Sequence, residues 1–119
     1  RLENRIVYFW FFAVDEKYRN RGIGGKALEK LISMYPDCQL VLDMEPLKEG
    51  AGNYEERLMR TRFYERYGFS RTGRCMTYFG STFEIMCTKA PFREGDFRKM
   101  YDEPIFKEWQ PVFADVDDI

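Results

Sequence analysis

The sequence predicts an α/β (α+β) fold: a mixed sheet with a central parallel strand pair, helices packed on the sheet, a C-terminal hairpin and a helical tail. Three observations carry this. Residues 6–14 (IVYFWFFAV) are β-branched or aromatic almost throughout, the composition of a strand buried on both faces inside a sheet. A charged, then Gly-rich stretch leads from it into an amphipathic segment. A second strand-like run, QLVLDM at residues 39–44, follows. Strand, helix and strand within about forty residues make a βαβ unit, whose two strands run parallel.

Residues 15–25 (DEKYRNRGIGG) are polar and Gly-rich and read as a loop. In the helix after it, Ala27, Leu28, Leu31, Ile32 and Tyr35 fall on one stripe, with Lys26, Glu29, Lys30 and Ser33 off it. Pro36 stops this helix. Residues 45–53 contain Pro46, Gly50 and Gly52 and form a loop. Residues 54–67 read as a second helix. Tyr54, Leu58, Met59, Phe63 and Tyr67 recur at helical steps, while Arg57, Arg60, Arg62 and Arg66 fill the other face. Glu56 stands i,i+4 to Arg60, a supporting pair. Gly68 is placed to close the helix in a left-handed cap. Strands are expected over residues 70–79 and 82–88, with Gly80-Ser81 as the hairpin turn.

Beyond Pro91, the spacing of Phe97, Met100, Tyr101, Ile105, Phe106 and Trp109 is that of an amphipathic helix. Pro104 interrupts it and suits the first turn of a new short helix. Residues 114–119 are acidic and expected to fray. The chain divides accordingly into a core over residues 1–90 and a helical tail over residues 91–119.

Composition narrows the function. Apolar residues make up 45% of the chain, which places it among folding sequences. Lys plus Arg number 19 and Asp plus Glu 20, a balance with no overall pull toward nucleic acid or an anionic membrane. There is no His, which excludes a His-based triad and a His-completed zinc site, and no metal is expected. Cys38, Cys75 and Cys87 form no CxxC pair and read as reduced thiols of a cytoplasmic protein. The apolar run at residues 6–14 is too short to span a bilayer, and no signal peptide or membrane anchor is recognised. The chain opens on Arg1 in place of Met, from which an upstream part is expected.

The stretch Arg19-Asn20-Arg21-Gly22-Ile23-Gly24-Gly25-Lys26 joins the first strand to the first helix. Glycines let backbone approach a ligand closely, and a helix N-terminus offers free N–H groups and the positive end of its dipole. Two arginines and a lysine add charge, so the stretch suits a pyrophosphate; as a bare pattern it also suits a solvated turn. A Walker A loop fails, because Ala27 follows Lys26 where Ser or Thr belongs. A dinucleotide fingerprint fits formally from Gly22 to Ala27, with Asp43 about twenty residues on. Its glycines should follow their strand directly, however, and here residues 15–21 intervene.

Arg19-x-x-Gly22-x-Gly24 resembles the Q/R-x-x-G-x-G/A signature of the GNAT superfamily of N-acetyltransferases, with Ala13-Val14-Asp15 before it and a helix after it. Phe63-Tyr64-Glu65-Arg66-Tyr67-Gly68-Phe69 resembles that family's [LF]-Y-x-x-x-G-F motif. The resemblance runs over residues 6–88 and makes the predicted sheet GNAT-like. Two departures stand out. Arg57 occupies a position where the family often carries Asn. The strands and helices that usually precede the strand at Ile6 are missing from residues 1–90.

The resemblance implies an enzyme that moves an acetyl group from acetyl-CoA to a primary amine of a small molecule or peptide. Phe12, Ala13 and Val14 would pair with the pantetheine arm, with a backbone N–H near Phe12 facing the thioester oxygen. Arg19, Arg21, Gly22, Ile23, Gly24, Gly25 and Lys26 would hold the pyrophosphate. Tyr64 matches the family tyrosine that protonates the departing thiolate. Asp43 and Glu45, at the end of the second strand, are the candidate bases. A noncatalytic module that binds acyl-CoA or a protein partner on the same fold is the alternative. The first strand, apolar on both faces, also calls for cover and for a neighbour on its outer edge, supplied by an upstream segment or by a second protomer in a homodimer.

Overall fold

A computed structural model describes residues 6–9 and 23–118. Its sheet has five strands, β1 (Ile6–Phe9), β2 (Gln39–Met44), β3 (Ser70–Tyr78), β4 (Ser81–Cys87) and β5 (Val112–Asp115), in the order β1-β2-β4-β3-β5. Strand β1 (Ile6–Phe9) runs parallel to β2 (Gln39–Met44), in register from Ile6↔Gln39 to Phe9↔Leu42. Helix α1 (Ile23–Met34) makes the crossover. Helix α2 (Tyr54–Arg66) then leads to the antiparallel hairpin of β3 (Ser70–Tyr78) and β4 (Ser81–Cys87), and β4 pairs with β2. The α+β class and the parallel pair are as the sequence predicts.

Strand period places two cores on the two faces of the sheet. On one face Leu40, Leu42, Met44 and Met86 pack against Leu28 of α1, Tyr64 of α2 and Phe69. On the other, Val41, Met76, Tyr78, Ile85 and Cys87 pack around Phe97 of the tail. Val7 joins the first core; Ile6 and Tyr8 join the second. Both faces of β1 are therefore covered within the chain, with Phe97, Tyr101 and Trp109 of the tail supplying the second cover. Its outer edge carries no strand among the described residues.

Several expectations are corrected. Helix α1 begins at Ile23, so Ile23, Gly24 and Gly25 form its first turn and are not loop. Glycine is a poor helix former, but here its missing side chain makes room: a Cβ on Gly25 would lie 2.0 Å from the Tyr67 hydroxyl. The buried stripe accordingly shifts to Gly24, Gly25 and Leu28, and Ala27 is exposed. On α2 the buried residues are Thr61 and Tyr64, while Met59 is 71% exposed. Polar residues at core-facing positions flatten the pattern there. Arg60 pairs with Glu45. Gly68 closes α2 as expected, at φ 94°, with the Gly68 N–H on the Glu65 carbonyl and the Phe69 N–H on the Tyr64 carbonyl. The hairpin turn is Phe79-Gly80, both at positive φ, with Tyr78 opposite Ser81.

The tail is helical only in part. Helix α3 (Glu94–Lys99) and single 3-10 turns at Met100–Asp102 and Pro104–Phe106 give way to β5 (Val112–Asp115), which pairs antiparallel with β3. Four residues carry too little period to show a strand in sequence, and their acidic surroundings resemble a frayed end. Arg74 of β3 fastens this segment. It donates to both Glu94 carboxylate oxygens (2.7 and 3.0 Å) and to Asp115 (2.8 Å). Arg98 lies 4.8 Å from the Phe113 ring centroid. Cys75 and Cys87 are buried and Cys38 partly so, all three as free thiols. No described helix is long and apolar enough to cross a membrane.

Candidate functional site

Asp43 stands one residue from the end of β2, at a position that alternation directs toward the tail-side core. A carboxylate there needs donors, because burial without hydrogen bonds is costly. Two arrive from other elements. The Tyr8 hydroxyl of β1 and the Tyr78 hydroxyl of β3 both donate to Asp43 Oδ2, each at 2.9 Å. Burial lifts the Asp43 carboxyl above its ordinary range, and the Tyr78 and Tyr8 hydrogen bonds offset part of that rise. Burial, and then the Asp43 charge, push the Tyr8 hydroxyl far up, so Tyr8 remains a donor at any physiological pH. Tyr101 of the tail is likewise pushed up, first by burial. The arrangement is a partly buried carboxylate with raised basicity, held in one orientation by two phenols.

Glu45, two residues on, has a different environment. Arg57 and Arg60 of α2 each reach it at 3.0 Å, and Asn53 donates to it. The Arg60 hydrogen bond leads the effects that hold Glu45 below the ordinary range. Arg57 also donates to the Pro46 carbonyl (2.9 Å) and the Asn53 side chain (2.8 Å). Arg57, the departure from the family pattern, thus ties the β2–α2 loop to the helix. Glu84, on the α2 side of the sheet, is buried with Arg71 on its carboxylate, and it accepts the Leu47 N–H.

Tyr64 is 6% exposed and packs with Leu28, Leu42 and Phe69 in the helix-side core. Burial raises its hydroxyl above the ordinary phenol value. Asp43 and Tyr64 therefore lie on opposite faces of the sheet. Gly24, Gly25 and Lys26 stand in the first turn of α1, which contains no acidic residue; Gly24 and Gly25 are buried and Lys26 is exposed. Phe12, Ala13, Val14, Arg19, Arg21 and Gly22 lie outside the described residues.

Sequence reasoning missed Tyr8, Tyr78 and Tyr101, which converge from β1, β3 and the tail. The available signal was the alternation Gln39, Val41, Asp43, which sends a carboxylate to a core-facing register position. Two open clefts, one lined by residues from Arg71 to Gly73 with Val116 and Asp117, the other by tail residues with Phe113, include neither Asp43 nor the first turn of α1. Among the described residues no group of three or more Cys, Asp or Glu side chains is placed to hold a metal ion.

Comparison with protein families matches residues 1–71, more than half of the chain, to the acetyltransferase (GNAT) domain. No curated protein matches the chain.

Proposed function

The chain belongs to the GNAT acetyltransferase family, and on that premise we propose that it transfers an acetyl group from acetyl-CoA to a primary amine of a small molecule or peptide, with Asp43 as general base. The observation that carries this reading is the Asp43 site: a carboxylate near the end of the parallel pair, made more basic by burial and oriented by Tyr8 and Tyr78.

Acetyl-CoA supplies the thioester. Its pyrophosphate is assigned to Arg19, Arg21, Gly22, Ile23, Gly24, Gly25 and Lys26. A helix N-terminus free of acidic residues, with two buried glycines, suits an anion. Phe12, Ala13 and Val14 are assigned to the pantetheine arm by the family resemblance. An alkylammonium with a pKa of about 10.4 must lose a proton before its nitrogen attacks. Asp43 takes that proton as the N–C bond forms. Tyr64, which burial keeps in its protonated form, is assigned by the family resemblance to give its proton to sulfur as the C–S bond breaks. Glu45, already ionised against two arginines, serves better as the clamp on α2 than as the base.

The test is Asp43→Asn, which retains an oxygen acceptor for the tyrosines but not the base. Thiol release from acetyl-CoA in the presence of amines should fall by about 10²- to 10⁴-fold in kcat, with calorimetric acetyl-CoA affinity unchanged. An Asp43→Asn variant as fast as wild type removes Asp43 from the chemistry.

A further inference from the structure

Tyr78, one of the two donors to Asp43, belongs to a larger aromatic array. Tyr78 stacks with Phe83 (centroids 4.9 Å apart, planes at 26°) and with Trp109 (5.0 Å, 30°). Trp109 belongs to the tail, beyond the residues that match the family domain. Phe79 extends the array from the hairpin tip, with its ring centroid 5.3 Å from that of Trp109. Its φ of 50° places a bulky residue in the left-handed region, where Gly or Asn would be unstrained. Its ring is 66% exposed. Phe79 packs edge-on against Tyr78 as well as on Trp109, yet backbone geometry does not call for phenylalanine here, and strain retained at a largely exposed aromatic points to a function.

The array ends on charge. The Tyr78 hydroxyl touches Asp43, while Glu45 and Glu84 are occupied by arginines. A carboxylate at one end of an aromatic array complements one ammonium group attached to a flat, apolar body. A polyamine would instead call for several carboxylates spaced along its length.

Building on the amine-acetylation reading, we infer that Phe79 and Trp109 form the acceptor-selecting wall of this site and that the acceptor is a primary amine joined to an aromatic or similarly flat apolar group. The fold outside the family domain thereby sets specificity. Phe79 and Trp109 are positioning residues, so their loss falls on KM and not on kcat.

The experiment measures thiol release by the full chain with phenethylamine, butylamine and spermidine. Wild type should show a KM for phenethylamine about tenfold below that for butylamine, the scale of a good ring–ring contact. Phe79→Gly and Trp109→Ala should each raise the phenethylamine KM about tenfold, with a smaller effect on butylamine, and Trp109→Phe should restore most of the loss. Phe79→Gly removes an exposed ring and relieves its backbone, so it keeps the test valid if Trp109→Ala unfolds. Equal KM values for phenethylamine and butylamine, a preference for spermidine, or an unchanged phenethylamine KM in Phe79→Gly overturns the acceptor inference alone. Absence of thiol release with all three amines, while acetyl-CoA still binds, overturns the transferase reading and this inference with it.

Discussion

Gln39 holds the tail onto the sheet, and its replacement should be costly. The side chain is 2% exposed at the first position of β2. Its Nε2 lies 3.0, 3.1 and 2.9 Å from the carbonyls of Thr88, Lys89 and Pro91, and its Oε1 accepts the Arg93 N–H at 3.0 Å. An amide nitrogen has only two hydrogens, so these contacts amount to two donated bonds and one accepted. At about 1 kcal/mol net per bond, Gln39→Ala should cost about 3 kcal/mol, and more if the freed carbonyls stay dry. With a urea m-value of about 1.5 kcal/mol/M, the unfolding midpoint falls by about 2 M. Gln39→Glu is nearly isosteric but turns a carboxylate oxygen toward the same carbonyls. It should lose more than the alanine at neutral pH and recover as acid protonates it. A loss below about 1 kcal/mol in Gln39→Ala would refute this account of the tail's attachment.

Three further outcomes are expected. The folded Asp43 pKa is raised, chiefly by burial, so its contribution to stability is full below the unfolded pKa and is lost as pH rises through the folded one. Asp43→Asn should therefore melt at or above the wild-type temperature at pH 7, and the advantage should vanish under acid; a lower melting temperature at pH 7 contradicts the desolvation reading. Tyr64→Phe should lower kcat by about 10²-fold with acetyl-CoA affinity little changed, whereas equal kcat returns Tyr64 to core packing alone. Gly25→Ala places a Cβ against the Tyr67 hydroxyl and should cost about 1–3 kcal/mol. Adding Tyr67→Phe, which removes that oxygen, should recover part of the loss, and no recovery would locate the strain elsewhere.

What could be read from sequence depended on how local the cause was. QLVLDM is a continuous apolar run ended by a polar loop, so β2 was legible to the residue. Gly68 was legible because the end of α2 needs one residue at positive φ. The start of α1 was not, since propensity argues against a helix beginning Ile-Gly-Gly, and the close approach of Tyr67 becomes visible only in three dimensions. The same holds for β5, which is strand because β3 offers it an edge and Arg74 fastens Glu94 and Asp115. The places of Asp43 near the end of β2 and of Tyr64 on α2 were legible from the strand-like run and the helical spacing. Tyr8, Tyr78 and Trp109 were not, because no spacing in the chain relates residues that meet only through strand order and a folded-back tail.

Following the acetyl group itself separates transfer to an amine from mere binding of acetyl-CoA. Wild-type protein is mixed with acetyl-CoA labelled in the acetyl carbonyl and with phenethylamine, and both products are measured. One free thiol should appear for each labelled amide, at a rate that collapses in Asp43→Asn. Labelled acetyl-CoA that binds and is recovered intact, with no amide formed from any amine, would contradict acetyl transfer and leave a binding module on an acetyltransferase fold.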